Sequence, residues 1–118
     1  MGGCANSQEG CPISLTQSMI GGKWKMAIIW LLGDKTCRFN ELQKALPGVT
    51  QKMLTQQLRE LEAHQLVDRK VYPVVPPKVE YSLTPIGRQL LPIFDQMCAW
   101  GLEYLEYISS PAADAESY

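Results

Sequence analysis

The chain has 118 residues with an ordinary apolar content of 46% and a net charge of −1. That is one domain with a modest core, and it contains no apolar run long enough to span a bilayer; Met26 to Leu32 is the longest. The charge is unevenly spread: residues 20–80 hold ten Lys and Arg against six Asp and Glu, whereas 81–118 hold one Arg against five acids. A basic middle and an acidic end suggest separate surfaces, one of them suited to a polyanion.

Residues 1–10 are small, polar and Gly-rich, and read as a disordered arm. No basic region followed by an apolar core precedes the domain, so no export signal is read and a cytoplasmic setting is expected. Cys4, Cys11, Cys37 and Cys98 never form a CxxC pair, which fits reduced thiols and not a zinc site. The domain proper is read as 11–108, followed by an acidic flexible tail over 109–118.

Cys11-Pro12 opens a first helix with Cys11 at the N-cap, and Gly21-Gly22 ends it. A second helix is expected from Lys23 to Leu32, with Trp24, Ile28, Leu31 and Leu32 facing inward and Gly33 closing it. Thr36 to Phe39 has room only for a short strand. Asn40 is read as the cap of a third helix, with Gln43 completing a capping box, and Leu42 and Leu46 form its buried side.

Pro47-Gly48 turns the chain into the stretch that carries most information. Thr50 is the expected N-cap of a helix whose Leu54, Leu58 and Leu61 form one apolar stripe. Lys52, Thr55, Gln56 and Arg59 fall on its other side, with Gln51 near the start. Long donors and amides of this kind suit phosphates and base edges. Leu66 to Tyr72 and Val79 to Leu83 alternate as two strands, and Pro73-Val74-Val75-Pro76-Pro77 between them cannot pair regularly. Arg69, Lys70 and Lys78 flank this stiff tip. A helix-turn-helix followed by a two-stranded ribbon is the order of a winged helix.

Thr84-Pro85 is an N-cap and N1 pair for the last helix, which Pro92 should kink or split. Its apolar band, from Ile86 through Leu90, Ile93, Phe94, Met97, Trp100 and Leu105 to Ile108, is wider than one small domain needs, and suggests a dimer interface. Trp24, Trp30 and Trp100 are read as core residues, and Cys98 as structural. The single histidine, His64, is read as a packed or half-exposed helix residue. No catalytic constellation and no phosphate-cradling glycine loop is visible, so neither an enzyme nor a cofactor is expected.

The chain resembles the HxlR-type helix-turn-helix transcription regulators, winged-helix proteins related to the MarR group. The resemblance covers roughly residues 11–105. It rests on Cys11-Pro12, Ile20-Gly21-Gly22-Lys23-Trp24-Lys25, Arg38-Phe39-Asn40-Glu41-Leu42 and Leu54-Thr55-Gln56-Gln57-Leu58-Arg59-Glu60-Leu61. It continues with Tyr81-Ser82-Leu83-Thr84-Pro85-Ile86-Gly87-Arg88 and Cys98-Ala99-Trp100-Gly101. It implies a fold that is α+β but mainly α, with a two-stranded wing and a long C-terminal dimerisation helix. It also implies a homodimer on a pseudo-palindromic double-stranded DNA operator, with the first and last helices supplying the dimer contact. Arg38, Thr50, Gln51, Lys52, Thr55, Gln56, Arg59, Arg69, Lys70 and Lys78 are the expected DNA-binding set.

The resemblance further implies that Cys11 can act as a thiol sensor for an oxidant or electrophile. A helix N-terminus stabilises a thiolate, and Lys23 or Lys25 would add positive charge if the fold brings either close. The competing reading is an inert, packed Cys11. If it bridges to a cysteine of the partner subunit, Cys37 is the first expectation and Cys4 the second. The rival functions are control by a small-molecule ligand, and a dimeric protein-interaction adaptor that does not bind DNA.

Overall fold

The computed structural model describes residues 10–110. The order is α1 (Pro12–Ile20), α2 (Lys25–Leu32), α3 (Phe39–Ala45), α4 (Gln51–Ala63), β1 (Val67–Tyr72), β2 (Lys78–Leu83), α5 (Pro85–Arg88) and α6 (Leu90–Ser109). This is a winged helix: mainly helical, with one antiparallel hairpin and a long last helix. All of the expected N-terminal arm except Gly10, with Cys4 in it, and the tail beyond Ser110 lie outside the described residues.

The core forms around α2, which touches α3, α4, β2 and α6. Ile28, Ile29 and Leu32 are fully buried there, with Trp24 behind them. Burial on several sides explains why Ile29 is deeper than the expected Leu31, which is only partly covered. Trp30 points the other way and is 48% exposed, so it is not a core residue. Trp24 stands at the N-cap, and the helix begins at Lys25 instead of Lys23.

Helix α3 starts earlier than expected. Its N-cap is Arg38, whose backbone N–H donates to Glu41 Oε1 at 2.7 Å. Asn40 lies inside the first turn. A carboxylate three residues into the helix satisfies an orphan amide better than a capping Asn with a Gln partner, because its bond is charge-assisted. The expected strand at Thr36 to Phe39 shrinks to one bridge, in which Cys37 and Tyr81 exchange backbone hydrogen bonds of 2.9 and 2.8 Å.

The turn into α4 places Gly48 at φ 91°, a left-handed conformation that favours glycine. Thr50 then caps α4, its hydroxyl accepting from the Met53 N–H at 3.1 Å. Leu54, Leu58 and Leu61 are buried as one stripe. The helix ends with His64, exposed, as C-cap, and Gln65 at φ 61°. The Leu66 N–H reaches back to the Leu61 carbonyl at 3.0 Å and the Gln65 N–H to that of Glu62 at 2.9 Å, a Schellman closure.

Strand β1 leaves directly from that closure and pairs with β2 from Val67–Leu83 to Tyr72–Lys78. Thr84 ties the far end of the hairpin to α4. Its Oγ1 donates to the Gln65 carbonyl at 2.7 Å and accepts from the Gly87 N–H at 3.0 Å, and its own N–H donates to the Leu66 carbonyl at 3.1 Å. The terminal helical segment then splits at Gln89 into α5 and α6. The cause is Pro92, which cannot donate to the carbonyl four residues back, that of Arg88.

Gly87 is required by this junction, because a Cβ there would stand 2.2 Å from the Leu66 carbonyl oxygen. Since that oxygen is backbone and held in place, Gly87→Ala is expected to cost about 1–3 kcal/mol, as overpacking does. Thermal melting of the variant against wild type measures it; an unchanged melting temperature would mean the junction yields.

Candidate nucleic-acid interface

The polar side of α4 is built by elimination. Its stripe of leucines must face α2, and 3.6-residue periodicity then turns Lys52, Thr55, Gln56 and Arg59 away from the core. Thr50, Gln51, Lys52, Thr55, Gln56 and Arg59 line a single open groove along the helix. This brings together all six of the α4 positions singled out by sequence. The groove begins at the N-terminus of α4, where unpaired amides favour an anion.

Besides the Thr50 cap, two of these side chains have intramolecular partners. Thr55 donates its hydroxyl to the Gln51 carbonyl at 2.8 Å, and Gln56 Nε2 donates to Glu60 Oε2 at 2.8 Å. The other oxygen of Glu60 accepts from Lys25 Nζ of α2. The Lys25 bond, followed by the Gln56 bond, holds the Glu60 carboxyl below the usual carboxylate range. Glu60 was not among the residues expected at this face. Its partner lies 35 positions away in sequence, and no local pattern announces such a pair.

The wing extends this surface. Arg69 shares a pocket with Thr55, Leu58, Arg59, Glu62 and Tyr81, at the seam between α4 and the hairpin. Lys70 of β1 and Lys78 of β2 both lie over the Tyr72 ring, at 5.0 and 4.8 Å. Lys78 also pairs with Glu80 at 3.4 Å, and the Tyr72 hydroxyl donates to Glu80 at 3.0 Å. The Tyr72 bond, ahead of that from Lys78, lowers the Glu80 carboxyl against the opposing effect of burial. At the tip, Val75 is 99% exposed. Arg38 is exposed at the start of α3, apart from the α4 groove.

Cys11 is the N-cap of α1, as expected, with Pro12 at the first helical position and the thiol residue half-buried. Of the two lysines expected to add charge there, Lys25 pairs with Glu60 and Lys23 lies over the Trp24 ring at 4.9 Å. Cys37 is only 5% exposed, and burial pushes its thiol pKa up; Lys35 opposes this and Glu41 adds to it. In the single chain Cys37 borders a cleft with Leu31, Lys35, Thr36 and Glu41. Cys98 is exposed in the single chain.

Helix α6 buries Phe94 alone among its 20 residues. Ile93, Met97, Trp100, Leu102, Tyr104, Leu105, Tyr107 and Ile108 are all exposed, and the rings of Trp100 and Tyr104 stack at 5.3 Å. Trp100 is therefore not packed in the core of this chain. On α1, Ile13 and Leu15 are exposed as well. Among the described residues no cluster of His, Cys, Asp and Glu could hold a metal ion, and no helix is long and apolar enough to cross a membrane.

Comparison with known proteins agrees with this architecture. The HxlR-like helix-turn-helix family profile matches residues 19–109. YybR, an uncharacterized HTH-type transcriptional regulator of Bacillus subtilis (strain 168), is 55% identical over 95 residues, which cover 80% of this chain and 76% of YybR. Two solved structures of the redox regulator HypR are similar. Its oxidized form has a TM-score of 0.74 and 54% identity, over 79% of this chain and 96% of that one. Its reduced form has a TM-score of 0.78 and 50% identity, over 83% and 97%. The family and these relatives are regulators and not enzymes. The chain belongs to the HxlR-like helix-turn-helix family of transcriptional regulators.

Proposed function

We propose that the protein is a homodimeric, sequence-specific DNA-binding regulator whose affinity for a pseudo-palindromic operator responds to thiol chemistry at Cys11. The observation that carries the DNA reading is the single groove shared by Thr50, Gln51, Lys52, Thr55, Gln56 and Arg59, opposite a fully buried leucine stripe. In each subunit α4 enters a major groove, where Gln56 and Arg59 reach base edges and Lys52 holds phosphate. Arg69, Lys70 and Lys78 bring the wing to the backbone or the adjacent minor groove, and Arg38 adds a phosphate contact at the start of α3.

The dimer reading is supported by the apolar surface left on α6 and α1. So many large apolar side chains exposed along one helix mark an interaction surface. In an isologous dimer these helices would meet their own copies. The two α4 helices must then lie about 34–36 Å apart to reach successive half-sites.

The sensing reading is supported by Cys11 at the start of α1 and by the similarity to HypR, a redox regulator with oxidized and reduced structures. Modification at α1 would disturb a contact between subunits and so alter the spacing of the α4 pair. A second reading, control by an apolar small ligand, is favoured by a cleft between α1 and the α5–α6 segment. Met19, Ile20, Leu66, Ile86, Leu90 and Ile93 line it, with Thr16 and Gln89 at polar corners.

Selection of bound sequences from random DNA, with reduced protein and again after mild oxidation, tests the central claim. Replacing Gln56 or Arg59 by Ala should cost about 1–3 kcal/mol of operator affinity and relax preference at one base position per half-site. Unchanged affinity and preference in the Gln56→Ala/Arg59→Ala double variant would remove α4 from recognition. Cys11→Ser should bind the operator as wild type does but no longer release it with diamide or a quinone. Equal release by both proteins would move the sensor elsewhere.

Cys37 is expected to resist alkylation. Its raised pKa keeps it as the unreactive thiol at neutral pH, so iodoacetamide should label it more slowly than Cys98, and faster only at alkaline pH or on unfolding. Mass spectrometry of labelled peptides reads the order, and equal rates at neutral pH would contradict it.

A further inference from the structure

We propose that Glu60 is a positioning residue that fixes which way round the Gln56 amide meets a base edge, so that this contact selects an amino base over a keto base. The proposal rests on reading α4 as the recognition helix. It starts from the chain of contacts Lys25–Glu60–Gln56, in which Glu60 Oε1 accepts from Lys25 and Glu60 Oε2 accepts from Gln56 Nε2 at 2.8 Å.

A carboxylate can accept hydrogen bonds but cannot donate one. The Gln56 atom facing Glu60 must therefore be the amide nitrogen, and the carbonyl Oε1 is turned away from it. Glu60 cannot follow another partner at will, because the Lys25 side chain is only 11% exposed and would be left without a counter-charge. The same two hydrogen bonds, that from Lys25 first, lower the Glu60 pKa and so favour its charged, accept-only form. Gln56 itself is exposed and belongs to the α4 groove.

In the major groove, adenine presents the N6 amine and cytosine the N4 amine, whereas guanine presents O6 and thymine O4. A glutamine with no tether can turn its amide over and serve either class. With its nitrogen held, Gln56 leads with an acceptor, which complements adenine or cytosine. The Glu60 carboxylate acts in the same direction, since its oxygens can only accept and offer nothing to the keto oxygens of guanine and thymine. Lys25 neutralises that charge toward the phosphates, so the acid can sit on a DNA-facing helix without weakening binding broadly.

The experiment is selection from random duplex DNA with the reduced full chain, comparing wild type, Gln56→Ala, Glu60→Ala and Lys25→Met/Glu60→Ala. The double variant keeps the net charge and leaves no buried cation unpaired, so it stays informative if Glu60→Ala melts early. The base position relaxed by Gln56→Ala identifies the contact. There, wild type should prefer adenine or cytosine on the order of tenfold. The Glu60 variants should lose this preference by admitting guanine or thymine, with other positions unchanged. Retention of the adenine or cytosine preference without Glu60 would overturn the proposal. So would a guanine or thymine preference in wild type, or a Gln56→Ala variant that relaxes no position. In each of those cases a defined wild-type site would leave the DNA-binding reading standing. A wild type that enriches no sequence would instead overturn that reading, and this proposal with it.

Discussion

Thr84 holds the two working parts of the molecule in register. Its hydroxyl and backbone N–H together make three hydrogen bonds, to Gln65, Leu66 and Gly87, and so fasten the end of α4 to the start of α5. Without that fastening, the wing would be held only by the start of β1 and by the Cys37–Tyr81 backbone bridge. With it, β1, β2 and α5 form a closed link between α4 and α6. The close approach of Gly87 to Leu66 leaves little slack in the link. If the packed elements move as bodies, a displacement of the exposed helix α6 would be passed through this link toward α4.

The same economy governs the charges on the α4 face. A nucleic-acid surface needs cations, yet Glu60 sits among them. Its pairing with Lys25, from the core helix α2, converts a liability into a fixed acceptor and also ties α4 to α2. Such a pair adds little stability by itself, because its exposed carboxylate is screened by solvent. Its value lies in restricting where the Gln56 amide can go. The overall charge of −1 conceals this, because it averages a basic middle with an acidic end.

What could be read from the sequence was the chemistry confined to a few neighbouring residues. Thr50 and Thr84 announce their caps because a hydroxyl reaches an amide three residues on, and the proline-rich tip between β1 and β2 announces its own irregularity. The winged-helix order and the polar face of α4 follow from such signals. Features set by distant partners stayed hidden. Cys37 is buried where its backbone pairs with Tyr81, a contact that no spacing reveals. Trp30 is exposed because α2 is covered on the sides that hold Ile28, Ile29 and Leu32, so its position relative to the core decides against its apolar character. At α3 a local signal misled: Asn40 is a good cap in isolation, but Glu41 reaching back to Arg38 starts the helix two residues earlier.

The arrangement around Tyr72 bears on how the wing would behave as ionic strength changes. Lys70 and Lys78 share the ring, while Glu80 accepts from the Tyr72 hydroxyl and pairs with Lys78. The wing thus carries its own counter-ion. A lysine that meets a phosphate ordinarily frees a condensed cation from the DNA, and that release makes binding fall with added salt. Lys78 would have to exchange Glu80 for the phosphate, so part of its charge is already spent within the protein. The wing would then contribute less to the salt dependence than its lysines suggest. More of that dependence would fall to Lys52 on α4, to Arg38, and to Arg69 and Lys70 on the wing, with Lys78 serving to stiffen the ribbon around Tyr72 more than to attract the duplex.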